Sequence, residues 1–167
     1  MVHRSSFLIL AAALLLSACG FKLRGEATLP FESIYVQGAA TSPFTIQLKR
    51  GITSGTQARI VEKPEDAQVV LQIMNERHEK EILALSGGGR VREFQLRYRV
   101  SYRLTDNKLA TEYISPSEIV LRRELTYSDV EALAKESEEA LLFRDMQTDA
   151  ARQILRRLQV AKLEAKS

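Results

Sequence analysis

The most regular segment of the chain reads Phe94-Gln95-Leu96-Arg97-Tyr98-Arg99-Val100-Ser101-Tyr102-Arg103-Leu104. Every even position is apolar and every odd position is polar. A period of two predicts a β-strand with one face in a core and the other face in contact with water or a partner. The segment therefore predicts a sheet that is covered on one face only.

Shorter strand patterns lie on both sides of this segment. Residues 34–36 and the alternating positions from 69 onwards precede it, and apolar residues at alternate positions follow it between 119 and 127. The segments 86–89 and 105–108 are rich in Gly, Ser, Asp and Asn, which is typical of turns. The middle of the chain is therefore predicted to be a run of antiparallel strands.

Two segments have the 3.6-residue period of helices. Ser42 followed by Pro43 is typical of a helix start, and the apolar positions after it predict about three turns. Residues 128–131 match a capping box, and an apolar stripe of about four turns follows. The pattern leaves open whether one helix runs from Val130 or a new helix begins near Ser137. The stripe consists of Phe143, Met146, Ala150, Ile154 and Leu158.

These elements predict an α+β fold, a two-layer sandwich with two helices packed on one face of a mostly antiparallel four-stranded sheet. The chain has 167 residues, 45% of them hydrophobic, and a net charge of +3, which favours one folded domain over disorder. We place this domain at 31–160 and a frayed tail at 161–167. The small charge excess does not favour a nucleic-acid partner.

The first twenty residues predict an exported lipoprotein. Arg4 precedes ten apolar residues at 7–16, a run that fits a secretory signal and is too short to span a bilayer; a buried N-terminal helix is the alternative. The sequence Leu16-Ser17-Ala18-Cys19-Gly20 resembles a bacterial lipobox. Residues 1–18 would be removed, and Cys19 would carry N-acyl and S-diacylglycerol lipids on a tether formed by 19–30. Gly20, rather than Asp, resembles cargo sorted to the outer membrane.

No catalytic or metal site is expected. His78 lies in a charged run without other metal ligands nearby, so an exposed strand or loop position is favoured. The glycines at 87–89 do not match a phosphate-binding loop and instead indicate a hairpin tip. Cys19 is the only cysteine, which excludes an internal disulfide. We therefore expect no enzyme and no cofactor other than the covalent lipid.

Arginines on the polar face of the long strand allow two interpretations. Arg97, Arg99 and Arg103, with Arg90 and Arg92 near the turn, could form a solvated charged face. They could equally bind phosphate groups of an anionic envelope glycolipid, because guanidinium groups match phosphate in bidentate geometry. The sequence leaves both open.

Three short motifs resemble the LptE (RlpB) family of lipopolysaccharide-assembly lipoproteins. They are Cys19-Gly20-Phe21-Lys22-Leu23-Arg24, Glu93-Phe94-Gln95-Leu96, and Arg144-Asp145-Met146 leading into Ile154-Leu155-Arg156-Arg157-Leu158. The resemblance implies a sandwich of two helices and four strands that plugs the LptD outer-membrane β-barrel and assists its assembly. It also implies delivery of lipopolysaccharide to the outer leaflet, direct lipopolysaccharide binding, and a body that faces the periplasm and the barrel lumen.

The same resemblance implies where lipopolysaccharide would bind. Lys135, in the segment 132–135, matches one basic position of the family. The other lies at the hairpin tip, where this chain offers Arg90 and Arg92 instead of a base in the turn itself. Two other functions are considered: a periplasm-facing lipoprotein subunit of another envelope lipid or solute transporter, and a hydrolase of envelope polymers.

Overall fold

The structure, a computed structural model, describes residues 28–163. The predicted signal peptide, Cys19, most of the tether and residues 164–167 lie outside the described residues. The elements are β1 (Ser33–Gln37), α1 (Pro43–Gly55), β2 (Arg59–Ile60), β3 (Val69–Leu85), β4 (Val91–Asp106), β5 (Glu112–Thr126) and α2 (Ala132–Gln159). Short 3₁₀ turns lie at Pro64–Asp66 and Asp129–Glu131.

The α+β class with two helices packed on a sheet is confirmed, but the prediction of four mostly antiparallel strands is wrong. The sheet has five strands in the order β2-β1-β3-β4-β5. Strand β1 pairs in parallel with both β2 and β3, whereas β3, β4 and β5 are antiparallel. The connection from β1 to β3 runs through α1 and returns to the same end of the sheet, as a parallel pairing requires.

Helix α1 begins as its sequence predicts. The amide of Thr45 donates a hydrogen bond to the Ser42 side chain at 3.3 Å, and Pro43 occupies the first turn. Phe44, Leu48 and Ile52 are fully buried against the sheet. The helix has 13 residues, in agreement with the predicted three turns or so.

Helix α2 differs from the prediction at its start. The Ser128 side chain makes no capping hydrogen bond, so the capping box is wrong, because residues 129–131 form a 3₁₀ turn before the α-helix begins. From Ala132 the helix is continuous for 28 residues and has no break near Ser137. Four positions of the predicted stripe are buried, at Met146, Ala150, Ile154 and Leu158.

Strand β4 supplies the centre of the core. Its even positions face the helices, and Leu96, Tyr98, Val100 and Leu104 are fully buried, as the alternation predicts. A register shift between Ile73 and Asn75 changes which β3 positions face the helices. As a result His78, and not its neighbours, lies opposite Tyr98 on the helix side of the sheet.

One edge of strand β3 is only partly covered. Strand β1 pairs with residues 69–72 of β3, and within the described chain no strand pairs with the same edge from 73 to 85. The last part of β3 therefore extends beyond β1 as one strand of a β3–β4–β5 ribbon.

The two ends of the sheet differ, and we name them by their residues. The tip consists of 82–92, which includes the β3–β4 turn, and 126–135, which leads into α2. The base is the opposite end, where β1 and β3 begin and where both helices end. At the tip, Gly89 has a φ of 78°, a conformation that suits glycine in a tight turn.

Candidate functional site

The tip brings together the three basic residues that the sequence singles out. Arg90 and Arg92 lie next to the β3–β4 turn and are exposed. The amide of Tyr127 donates to the carbonyl of Arg92 at 2.7 Å, which holds the segment before α2 against β4. Lys135 follows in the first turn of α2. Residues 45 positions apart in sequence thus share one end of the fold.

These three cations differ in whether they have an acidic partner and in how exposed their side chains are. The Lys135 ammonium lies 2.9 Å from the Glu138 carboxylate, and its side chain is only 17% exposed. Arg90 and Arg92 have no acidic partner among residues 28–163. The two arginines are therefore the more available of the predicted phosphate-binding groups.

Apolar side chains are exposed at the same end. Val130 is 95% exposed and Leu133 is 82% exposed, and both lie where α2 begins. On the hairpin, Ile82, Leu83 and Leu85 are also exposed. These exposed apolar side chains lie at the same end of the molecule as Arg90 and Arg92. Combined with arginines, they suit an amphiphile that has both acyl chains and phosphates.

Three arginines of β4, on the face of the sheet turned away from the helices, are paired with acidic residues. Arg97 contacts Glu79 at 3.2 Å and Glu81 at 3.1 Å, and its side chain is 17% exposed. Arg99 bridges Glu79 on β3 and Glu118 on β5, both at 3.3 Å. The solvated or paired interpretation of these arginines is therefore favoured over a phosphate site.

Arg103 also has an acidic partner on a neighbouring strand. Its guanidinium lies 3.6 Å from Glu112 and donates a hydrogen bond to Gln72. The sequence of β4 alone could not reveal this pairing, because the acids belong to neighbouring strands and meet the arginines only through the register. We call the face of the sheet that carries Arg97, Arg99 and Arg103, which is turned away from the helices, the open face.

A polar cluster that the sequence did not suggest lies between the sheet and the helices. The Glu76 carboxylate accepts hydrogen bonds from Ser42 at 2.6 Å, Tyr98 at 3.0 Å and Gln147 at 3.3 Å. Burial raises the pKa of the Tyr98 phenol, and the charge and hydrogen bond of Glu76 raise it further. The phenol therefore remains a donor, and the cluster joins α1, β3, β4 and α2.

His78 lies on β3 beside this cluster, in agreement with its predicted strand position. Its ring centroid is 5.0 Å from that of Tyr98 and 4.8 Å from that of Phe143 on α2. The side-chain nitrogen of Gln147 is 3.3 Å from His78 Nε2. His78 is exposed, as predicted, and its contacts lie at the junction of sheet and helix.

Comparison with known proteins gives one consistent family. A family model described as LptE, lipopolysaccharide-assembly, matches residues 31–158. The LPS-assembly lipoprotein LptE of Photorhabdus laumondii is 28% identical over 162 residues, which cover 95% of this chain and 87% of that protein. In the part of the chain that the structure describes, no helix is long and apolar enough to cross a bilayer.

Solved structures agree with the fold. Lipoprotein B from Nitrosomonas europaea is 47% identical with a TM-score of 0.71, over 82% of this chain and 88% of that one. The rare lipoprotein B from Shewanella oneidensis is 24% identical with a TM-score of 0.62, over 75% of this chain and 92% of that one, and it supports the fold alone.

Proposed function

Because the chain belongs to the LptE family of lipopolysaccharide-assembly proteins, we propose that it is an outer-membrane lipoprotein that plugs the LptD β-barrel. In this role it supports the assembly of the barrel and the delivery of lipopolysaccharide to the outer leaflet. The mechanism is structural: the protein fills the lumen, stabilises the fold of its partner and contacts the transported lipid. It contains no catalytic step.

The open face is the observation that carries this proposal. The lumen of a large outer-membrane barrel is polar and wet. A plug therefore needs a surface that tolerates polar surroundings without a large net charge of its own. On the open face, Arg97 and Arg99 are matched by Glu79, Glu81 and Glu118, so the sheet presents ion pairs rather than an apolar surface.

The tip supports contact with lipopolysaccharide. Arg90, Arg92 and Lys135 supply cations for phosphates, and the exposed Val130 and Leu133 supply apolar surface for acyl chains. An amphiphile that combines both chemistries matches this end of the molecule better than a soluble anion does. Cys19, with its acyl chains, would hold the body at the inner leaflet of the outer membrane.

We expect the acylated protein, isolated in a mild detergent, to retain one large outer-membrane β-barrel in roughly stoichiometric amount. Mass spectrometry of the retained proteins would measure this. A variant with Glu79→Lys and Glu118→Lys replaces two acidic partners of the open-face arginines by cations. If that face lies in the lumen, this variant should retain a smaller amount of the barrel protein. Recovery of an inner-membrane transporter in place of a barrel would contradict the proposal and favour a transporter subunit.

We expect charge reversal at the tip to weaken lipopolysaccharide binding. Arg90→Glu combined with Lys135→Glu removes two phosphate contacts, each worth about 1.5–3 kcal/mol when formed to a charged group. The dissociation constant for purified lipopolysaccharide should therefore rise by at least about tenfold, as measured by titration.

A matched control keeps this test specific. Arg77→Glu combined with Arg122→Glu makes the same change in net charge at exposed positions on the sheet. If both double variants lose binding equally, the effect reflects overall charge and the tip is not the binding site. Equal thermal unfolding of the two variants would show that the loss does not come from misfolding.

A further inference from the structure

Charge is distributed unevenly along the helix layer. Residues 132–145, the half of α2 near the tip, contain four acidic and two basic residues. By contrast, α1 together with 150–163 contains six basic residues and no acidic residue. Within the helix layer the positive charge is therefore concentrated at the base, where Glu32, Glu62, Glu65 and Asp66 lie outside α1 and α2. The six residues are Lys49, Arg50, Arg152, Arg156, Arg157 and Lys162.

These cations lie at the end of the molecule where α1 and α2 pack side by side. The Gln47 side chain donates to the Thr148 hydroxyl at 2.6 Å. A Cβ atom added at Gly51 would lie 3.1 Å from Leu155, so the helices approach closely there. Arg50 and Arg152 each lie one turn beyond the Gln47–Thr148 contact. We call the exposed surface formed by Arg50, Arg152, Arg156, Arg157 and Lys162 the basic base patch.

Unlike Arg97, Arg99 and Arg103 on the open face, these cations are largely unpaired. Within the described range of 28–163, only Arg152 has an acidic partner, Asp149 at 3.7 Å, and its side chain remains 66% exposed. Arg156 and Arg157 lie in the last turn of α2, where cations stabilise the helix. That role does not account for Arg50, which lies in the middle of α1. Val160 adds an exposed apolar side chain beside them.

The patch lies at the end of the molecule where the chain enters from the tether. The Leu29 amide donates to the Gln57 side chain at 3.1 Å, and Gln57 donates back to the Leu29 carbonyl at 2.8 Å. This fixes Leu29 beside the end of α1. Ten residues separate Leu29 from Cys19, a span of at most about 36 Å. With Cys19 acylated as proposed, the body is attached to the membrane through its base, at a distance of at most about 36 Å.

We propose that the basic base patch docks on the phosphate groups of anionic phospholipids in the leaflet that holds the lipid anchor. This inference rests on the proposed acylation of Cys19. The anchor alone limits the distance of the body from the membrane, whereas a basic surface beside it also fixes the orientation. Docking applies to the anchored protein before it enters the barrel; with the base on the headgroups, the tip then points away from that leaflet.

The experiment uses the full acylated chain on vesicles. Because Cys19 is the only cysteine and its thiol is acylated, a fluorophore can be attached to one introduced cysteine. Gln159→Cys reports on the base, and Gly87→Cys, at a position with open space around it, reports on the tip. The vesicles contain phosphatidylcholine with or without phosphatidylglycerol, and both types carry a lipid with a quencher on its headgroup. We expect stronger quenching at 159 on the anionic vesicles and no such difference at 87.

Two double variants test the patch itself. Arg50→Gln with Arg156→Gln should reduce the docking equilibrium on anionic vesicles by roughly 25-fold, since each cation near an anionic surface contributes roughly fivefold. Arg77→Gln with Arg122→Gln makes the same change in net charge on the sheet and should leave docking unchanged. Equal loss in both variants, or quenching at 159 that does not depend on phosphatidylglycerol, would overturn the proposal.

The outcomes separate this proposal from the one on which it rests. Protein that floats with neutral vesicles but shows no lipid-dependent quenching at 159 retains its anchor and refutes docking alone. Protein that does not float with neutral vesicles lacks a functional anchor, which overturns the acylation and the docking together. Circular dichroism of each variant would show that α1 and α2 remain folded.

Discussion

Replacing Tyr98 with Ala is expected to lower the free energy of unfolding by about 3–5 kcal/mol, the range for removing a large buried aromatic side chain. Tyr98 has no exposed surface and lies at the centre of β4. Its ring centroid is 5.9 Å from that of Phe44 on α1 and 5.0 Å from that of His78 on β3. The truncation leaves a cavity between the sheet and α1. Urea unfolding followed by circular dichroism would measure the loss.

Tyr98→Phe serves as the matched control. It retains the ring and removes only the hydroxyl that donates to Glu76 at 3.0 Å. Glu76 keeps its hydrogen bonds from Ser42 and Gln147, so the expected cost is about 1–2 kcal/mol. If the Phe variant were as unstable as the Ala variant, the hydroxyl and not the packing of the ring would dominate the contribution of Tyr98.

Replacing Cys19 with Ala, in a chain without residues 1–18, is expected to abolish membrane attachment of the purified protein. Each buried methylene of an acyl chain contributes about 0.8 kcal/mol, so three chains make attachment effectively irreversible, and their loss leaves only weak electrostatic contacts. The variant should not float with phosphatidylcholine vesicles, whereas the native protein should float completely. Its mass should lack the added lipid, while the thermal unfolding of the folded body stays the same.

Gly20→Asp provides the control for this variant. It leaves Cys19 in place, so acylation and flotation should persist, while sorting in the cell should shift towards the inner membrane. Flotation of Cys19→Ala with neutral vesicles would mean that the body itself binds lipid. The anchor would then be unnecessary for attachment.

The fold could be predicted from sequence where the signal is local. The alternation through β4 identifies the buried positions, because a period of two records directly which side chains face the core. The start of α1 is equally local, since Ser42 and Pro43 act within one turn. Strand β2 could not be found, because Arg59–Ile60 is too short to show a period. The parallel orientation of β1 depends on where the chain returns after α1, which no local pattern contains.

The candidate site, too, could be predicted from the sequence only where its signal is local. Resemblance to the family pointed to Lys135, but its position at the same end of the fold as Arg90 and Arg92 depends on the tertiary packing of α2 over the sheet. The pairing of Arg97 with Glu79 depends on the register of β3 and β4, so the sequence of β4 alone allowed two interpretations of the same arginines. The hydrogen bonds to Glu76 come from residues 34 and 71 positions away as well as from β4. Such contacts are absent from any local pattern.

The partly uncovered edge of β3 has a consequence for contacts between copies of the protein. An open strand edge can pair with the same edge of another copy and so begin aggregation. Along this edge the sequence Glu76-Arg77-His78-Glu79-Lys80-Glu81 places charged residues at five of six successive positions. Bringing two such edges together would place like charges near one another and dehydrate them, which disfavours pairing between copies. The charged run thus acts as a gatekeeper against edge-to-edge aggregation.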